Sequence, residues 1–312
     1  MTPPQRSAFM VLVCIGAMFA SACSHSSGEV RVPVAGGDAG GMPRDLPADE
    51  HLDASALARV TDDAVAAGAQ ALVVVRHGHL VFEHYGHGVD ADTMLAPAGF
   101  AAVLPVLAAG IAAQDGVSGL DTRSDLEPGN IRQRLEANSH HGYADYLSVH
   151  LWRRLNAADA WIVSAPGQAI PVDCCFHARV SDWLRVGDLL VQDGRFEGKQ
   201  IVPAGWIGRL RMPVVADGTR GSGVLLPPAV RGGEGFDERD VFFLRGEDRW
   251  RMWLFPRLRL VVLFGAVDRG GVAGNGTPWD ETHLVNLVTR AISDPASATD
   301  AGSKLRGLVP GH

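Results

Sequence analysis

Lysine is scarce in this sequence, and acidic residues outnumber basic ones. Only two of its 312 residues are lysine, Lys199 and Lys304, and the formal net charge is −7 with an isoelectric point near 5.9. No stretch of the chain concentrates arginine and lysine. Because proteins that bind nucleic acids present clustered basic side chains to the phosphates, this composition predicts no nucleic-acid partner.

The shortage of lysine also excludes one kind of catalytic pair. A serine hydroxyl is a weak nucleophile until a neighbouring base accepts its proton, and a lysine one helical turn away can be that base. Neither lysine of this chain has a serine three residues before it. The sequence also contains no Gly-x-Ser-x-Gly elbow that would position another nucleophile.

Cysteine and histidine offer few candidate sites. Cys174 and Cys175 are adjacent, and adjacent cysteines pair only through a strained ring, so we expect free or buried thiols in preference to a vicinal disulfide. Cys175 and His177 would diverge in a strand, which disfavours a nucleophile and base there. Four further histidines could suggest a metal site, but no cysteine or carboxylate joins them at ligand spacing. We therefore predict that the chain binds no metal ion and no other cofactor. These are His77, His79, His84 and His87.

Residues 1–22 have the features of a secretory signal peptide. A short basic region precedes an apolar run that is too short for a comfortable membrane span, and the run ends in Ala20-Ser21-Ala22-Cys23. Small residues before a cysteine resemble the bacterial lipobox, which implies a diacylglyceryl anchor on Cys23. Ser24 in the next position implies the outer membrane. Plain secretion after Ala22 is the alternative.

The mature chain divides into three parts. Residues 23–49 are rich in Ser, Gly, Pro and Asp and predict a flexible tether, and the small residues of 294–312 predict a disordered tail. Residues 50–293 predict one domain. Within it, residues 71–85 predict a hairpin that turns at His77-Gly78, and residues 106–114 are apolar on nearly every side, which indicates a helix enclosed by protein.

Several segments of this domain resemble one family. They are the run Asp90-Ala-Asp-Thr93 before an apolar helix, the first hairpin, the helix and turn of residues 178–206, and three strands within residues 241–266. Together they resemble the serine hydrolases that include class C β-lactamases, DD-peptidases and 6-aminohexanoate-oligomer hydrolases. The resemblance implies an α+β, β-lactamase/transpeptidase-like fold with an antiparallel sheet flanked by helices. The short stretch before Tyr143 implies a shortened helical subdomain.

The residues that carry catalysis in this family are missing. In the ungapped register, Gly99 and Ala102 stand at the serine and lysine of the Ser-x-x-Lys motif. No Tyr-x-Asn motif occurs, and Arg245-Gly246 stands in place of Lys-Thr-Gly or His-x-Gly. Arg245 could hold a carboxylate, but we expect it to be a solvated or salt-bridged surface group. Tyr143 belongs to a helix with a core-facing stripe.

The resemblance therefore predicts the family fold without acyl-serine catalysis. We expect a degenerate envelope lipoprotein that faces the periplasm and contacts the membrane through its lipid alone. It would bind an envelope protein or a cell-wall fragment in what remains of the cleft. One alternative is an enzyme with a relocated nucleophile, for which Ser139 beside His140-His141 is the candidate. The other is a purely structural domain without a ligand.

Overall fold

The structure is a computed structural model that describes residues 28–38, 40–86, 88–117, 128–230, 233–247, 249–266 and 280–293. The predicted signal peptide, Cys23, His87 and the C-terminal tail lie outside these residues. Among the residues described, no helix combines the length and the apolar character that crossing a membrane requires.

Helices and strands are mixed along the described chain. The helices are α1 (Ala54–Ala66), α2 (Ala98–Ala101), α3 (Val103–Gln114), α4 (Pro128–Ser139), α5 (Tyr143–Leu147), α6 (Val180–Val191), α7 (Ala204–Leu210) and α8 (Glu281–Arg290). The strands are β1 (Val30–Val34), β2 (Ala69–Arg76), β3 (His79–Tyr85), β4 (Met94–Leu95), β5 (Ala160–Ser164), β6 (Phe176–Arg179), β7 (Arg195–Phe196), β8 (Lys199–Gln200), β9 (Phe242–Arg245), β10 (Arg251–Phe255) and β11 (Leu260–Ala266).

Five strands form the central sheet in the order β3-β2-β11-β10-β9, and every neighbouring pair is antiparallel. β2 and β3 form the predicted hairpin. Its turn passes through His77 at φ 50° and Gly78 at φ 89°, the two left-handed residues that a type I′ turn requires. β9, β10 and β11 are the three strands predicted within residues 241–266. The antiparallel sheet with helices around it confirms the α+β fold class.

Both faces of this sheet are buried. Successive side chains of a strand point to opposite faces, so the residues of β2 alternate between two apolar clusters. Val73 and Val75 of β2 belong to the apolar cluster that contains α3 and α6. Leu72 and Val74 belong to a second cluster with α1 and α8. α8 packs in this second cluster, and Leu284 is among its buried residues. Each layer of helices therefore has its own core.

α3 lies within the first of these cores. Every residue from Val103 to Ala112 is buried, which confirms the predicted enclosed helix. Pro105 is the third residue of α3, where a backbone N–H would have no partner inside the helix, so the proline removes no helical hydrogen bond. The regular helix begins directly after Ala102, as this proline requires.

The prediction of a flexible tether over residues 23–49 is wrong for the described residues 28–38 and 40–49. β1 pairs with β5 in antiparallel register, with Val32 opposite Ile162. Val34 and Met42 are buried in the first core cluster. The strand was hidden by composition, because its alternating valines lie in a stretch that is otherwise rich in glycine, proline and aspartate.

The expectation of two free thiols is also wrong, because Cys174 and Cys175 form a vicinal disulfide. Cys175 has φ 65°, in the left-handed region, and this conformation turns the backbone so that the two adjacent sulfurs can meet. The Val163 N–H donates to the Cys175 carbonyl at 2.9 Å, which ties the turn to β5. His177 stacks on Trp161 instead, with ring centroids 5.4 Å apart.

The contact between α3 and α7 generates a prediction about stability. A Cβ added to Gly110 would lie 2.6 Å from Cδ1 of Trp206, whose Nε1–H donates to the Val106 carbonyl at 2.8 Å. We expect Gly110→Ala to lower the free energy of unfolding by about 1–3 kcal/mol, because the buried indole must move. Urea denaturation followed by circular dichroism would measure the change.

The matched control is Gly208→Ala in α7. No atom lies within 4 Å of the Cβ that this change adds. Alanine also has a higher helix propensity than glycine, so the control should be neutral or stabilising by up to about 1 kcal/mol. Equal losses in both variants would contradict the packing argument.

Candidate functional site

The structure brings together the positions that the sequence assigned to the first and third motifs. Gly99 lies in the short helix α2. Arg245 ends β9, which is an edge strand of the central sheet, and Gly246 follows it. The Arg245 guanidinium lies over the ring of Phe243, 5.4 Å from its centroid. This junction between α2 and β9 is where the resemblance places the catalytic cleft.

Backbone atoms fill the junction. A Cβ built on Gly99 would overlap the carbonyl oxygen of Arg245 and would lie 2.9 Å from its carbonyl carbon. A Cβ on Gly246 would lie 2.5 Å from Cβ of Pro97 and 3.1 Å from Cβ of Trp250. Both positions therefore require glycine, because only a residue without a side chain lets α2 and β9 approach this closely. A serine at position 99 has no room for its Cβ, and so none for its Oγ.

A loop that contains residues 222–225 covers Ala102, the position assigned to the lysine. A Cβ added to Gly223, which has φ +71°, would lie 2.7 Å from the Ala102 carbonyl oxygen and 2.9 Å from Cα of Val103. Ser222 is buried, and its N–H donates to the Leu210 carbonyl at 2.9 Å. The loop is thus tied to the end of α7 and closes the junction between α2 and α3.

The same loop also occupies the edge of β9. The Leu225 N–H donates to the Phe243 carbonyl at 2.9 Å, and the Phe243 N–H donates back to the Leu225 carbonyl at 3.0 Å. An exposed edge strand offers such groups to any extended chain that can pair with it. Here the backbone groups of Phe243 are already used within the molecule.

Charged side chains at the junction stabilise this packing. Oε2 of Glu247 accepts a hydrogen bond from the Ala98 N–H at 3.0 Å, at the N-terminus of α2. Arg251 donates to the Gly246 carbonyl at 3.0 Å and, through Nε, to Glu281 at 2.9 Å. These contacts hold backbone segments together, and none of them directs a base toward Gly99.

The two tyrosines of α5 are core residues. Tyr143 and Tyr146 lie on α5 and are almost fully buried, which confirms the predicted core-facing stripe. Burial raises the pKa of both hydroxyls, that of Tyr146 to about 12. Tyr146 stacks on His150 with ring centroids 4.1 Å apart. Phenols that are this difficult to ionise are poor proton carriers near neutral pH.

Ser139, the candidate relocated nucleophile, ends α4. Its Oγ accepts a hydrogen bond from the backbone N–H of His141 at 3.2 Å. His140 between them adopts φ 59°, in the left-handed region. The hydroxyl therefore stabilises a turn between two helices, and this contact gives no support to a serine and histidine pair at this place.

A cavity that the sequence did not predict lies near the β2–β3 turn, at the edge of the central sheet opposite β9. Its volume is about 260 Å³. Asp188 of α6 lines it; burial raises the pKa of this carboxyl to about 6, and both its oxygens accept from Gln192 Nε2 at 2.8 Å. The lining comes from separated segments of the chain, so no local motif reveals it. It includes His77, Gly78, His79, Asn156, Arg185 and Asp188.

Two carboxylates meet the hairpin histidines beside this cavity, whereas the sequence spacing indicated that none would. Nδ1 of His79 lies 3.2 Å from Oε1 of Glu50 and 3.2 Å from Oδ2 of Asp45. Nδ1 of His77 lies 2.5 Å from Oε2 of Glu50. We call these four residues the His–carboxylate cluster. Asp45 comes from the segment mistaken for a tether, which is why spacing along the chain did not reveal the cluster.

Comparisons with known proteins give matches by structure only. No family model and no curated protein matches the sequence. A structure from Bacillus anthracis, assigned as a 6-aminohexanoate-dimer hydrolase, is 14% identical, covers 90% of this chain and 92% of its own, and gives a TM-score of 0.58. A β-lactamase from Mycobacterium bovis is 16% identical, covers 78% of this chain and 98% of its own, and gives 0.53. A family VIII carboxylesterase is 12% identical, with coverages of 76% and 96% and a TM-score of 0.53.

This chain has the fold of β-lactamases and penicillin-binding protein homologues. At these identities the likeness establishes the fold alone, and it confirms the resemblance read from the sequence at that level. Within the β-lactamase-like fold, the contact between Gly99 and Arg245 joins, backbone to backbone, the two positions that the sequence assigned to these motifs.

This contact predicts how a serine at position 99 would affect stability. Gly99→Ser should lower the free energy of unfolding by about 3 kcal/mol or more, because the new Cβ overlaps a backbone carbonyl that belongs to the sheet. Chemical denaturation would measure the loss. Gly205→Ser in α7 makes the same chemical change where no atom lies within 4 Å of the added Cβ, and it should change stability by no more than about 0.5 kcal/mol. A Gly99→Ser variant as stable as this control would show that the junction is open.

Proposed function

We propose that this chain is a catalytically degenerate β-lactamase-related protein of the bacterial envelope, and that it acts by binding or scaffolding. The observation that carries the proposal is the contact of Gly99 with the Arg245 carbonyl, which leaves no space for a nucleophile. Acyl-serine catalysis needs a hydroxyl, a base and a groove for the substrate at one point. The chain offers backbone atoms at that point.

The glycines at and around the motif positions all permit close packing of the backbone. Gly99 and Gly246 permit the approach of α2 to β9, and Gly223 permits the loop to cover Ala102. Loss of a catalytic serine alone would leave an empty groove. Here the groove is closed from two sides, which is the arrangement expected when the former site contributes to packing instead of chemistry.

This packing also bears on the choice of partner. The expectation that a ligand lies in what remains of the cleft requires a groove that a small fragment can enter. The closed junction and the paired edge of β9 favour a partner that binds an outer surface. Of the two candidate partners, an envelope protein therefore fits better than a cell-wall fragment. No cofactor has a role in this proposal.

The location in the envelope rests on the sequence. Ala20-Ser21-Ala22-Cys23 at the end of an apolar run supports lipid attachment at Cys23, and Ser24 supports retention in the outer membrane on the periplasmic side. The lipid would be the only contact with the membrane. Release into the periplasm after the signal peptide is removed is the alternative.

Covalent probes test the absence of catalysis. Incubation with a fluorophosphonate or with penicillin should leave the intact mass of the purified protein unchanged, because no activated hydroxyl is available. A serine adduct on the native chain that does not form on the heat-denatured chain would contradict the proposal.

Crosslinking in cells should recover an envelope protein, and added soluble cell-wall fragments should not displace it. Displacement by the fragments would identify the cell wall as the ligand instead.

Lipid attachment is tested separately. Cys23→Ser should abolish labelling by a fatty-acid analogue and move the protein from the membrane fraction to the periplasmic fraction, because the thiol that accepts the diacylglyceryl group is gone. Mass spectrometry of the N-terminal peptide would measure the change. Cys14→Ser, within the apolar run of the signal, is the control and should remain labelled. An unlabelled, soluble wild-type protein would establish plain secretion.

A further inference from the structure

The His–carboxylate cluster has no part in the proposed function. It lies at the β3 edge of the central sheet, whereas the closed junction lies at the β9 edge. His79, Glu50 and Asp45 each offer one ligand atom, and these three atoms all lie within 4.8 Å of one another. Nδ1 of His79 lies 3.2 Å from a carboxylate oxygen of each acidic residue.

These separations suit a tetrahedral metal ion. Zinc binds imidazole nitrogen and carboxylate oxygen at about 2.0–2.2 Å, so two ligands of a tetrahedral zinc are roughly 3.4 Å apart. The distances from His79 to Glu50 and to Asp45 are close to that value. Only small movements of the side chains would place all three donors around one ion.

The backbone fixes the two carboxylates against the hairpin. The buried guanidinium of Arg76 donates to the Glu50 carbonyl at 2.6 Å. The Leu80 N–H donates to the Pro43 carbonyl at 2.7 Å, and the Asp45 N–H donates to the Leu80 carbonyl at 3.3 Å. Because the ligand-bearing segments are already held in place, an ion would bind without ordering a loop.

His77 supplies a supporting contact. Its Nδ1 lies 2.5 Å from Oε2 of Glu50, while the other carboxylate oxygen, Oε1, faces His79. Metal-binding carboxylates are commonly held by a hydrogen bond of this kind, which fixes their orientation. His77 is therefore a positioning residue for Glu50. It also lines the adjacent cavity together with His79, so the cavity offers an ion a path to the site.

We propose that His79, Glu50 and Asp45 bind a divalent transition-metal ion, with Zn²⁺ as the best match, and that the cavity side supplies the remaining coordination position. An imidazole ligand favours zinc over calcium or magnesium, which prefer oxygen ligands only. The two carboxylates balance the charge of the dication. The bound ion would fasten the segment of Asp45 and Glu50 to the tip of the first hairpin.

Calorimetry with Zn²⁺ tests the proposal on protein that carries no polyhistidine tag and has been treated with EDTA. We expect one ion per chain, and at least about tenfold weaker binding in both His79→Ala and Glu50→Gln. His84→Ala, on the same hairpin, and Asp49→Asn, beside Glu50, are the matched controls and should bind as the wild type does. Binding that persists unchanged in His79→Ala, or no saturable binding by the wild type, would overturn the proposal.

A second measurement covers the case in which a variant does not fold. Zn²⁺ should raise the Tm of the wild-type protein by several degrees, and EDTA should reverse the increase, because an ion that binds only the folded chain stabilises it by mass action. His84→Ala should show the same response. A wild-type Tm that does not respond to Zn²⁺ would also overturn the proposal. Neither readout depends on enzymatic activity or on lipid attachment.

Discussion

The close approach of Gly99 to the Arg245 carbonyl is the contact that brings α2 against the edge of the central sheet. Protein interiors are packed as densely as organic crystals, so a neighbouring backbone segment can occupy the space that a missing side chain would have filled. β9 cannot move away freely, because it is paired with β10, where Arg251 faces Arg245. On its other side, Phe243 is paired with Leu225. The closure is therefore a property of the sheet and not of one residue.

The packing of the helices depends on apolar contacts away from Gly99. Two separate apolar clusters, one on each face of the central sheet, hold the helices in place. The buried faces of β2 and α6 belong to these clusters without involving Gly99. Since apolar burial dominates the stability of a domain, the scaffold can persist while the residues of the chemistry change. Scaffold segments can therefore be recognised in a sequence that lacks the family's motifs.

Periodicity and turn chemistry predicted the local structure that they govern. The hairpin at His77-Gly78, the three C-terminal strands and the buried helix α3 all follow from patterns within about fifteen residues. The errors concern long-range relations. The partner of β1 is β5, more than a hundred residues later, and composition alone made β1 resemble a tether. Likewise, no spacing rule could show that Asp45 would face His79, or that Arg245 would close on Gly99.

Other segments of the chain cover both edges of the central sheet, and one of these segments is the one that the sequence predicted to be a tether. An uncovered edge strand is a template for unwanted pairing, and covering it with another segment of the chain prevents this. Leu225 covers β9 by exchanging two backbone hydrogen bonds with Phe243. Residues 43–45 cover part of β3 through a bridge between Arg44 and Leu80. This second cover brings Asp45 beside His79, so protection of the sheet places a carboxylate against an imidazole. Covering therefore closes one edge at the junction of Gly99 and Arg245, and at the other edge it brings a carboxylate and an imidazole together.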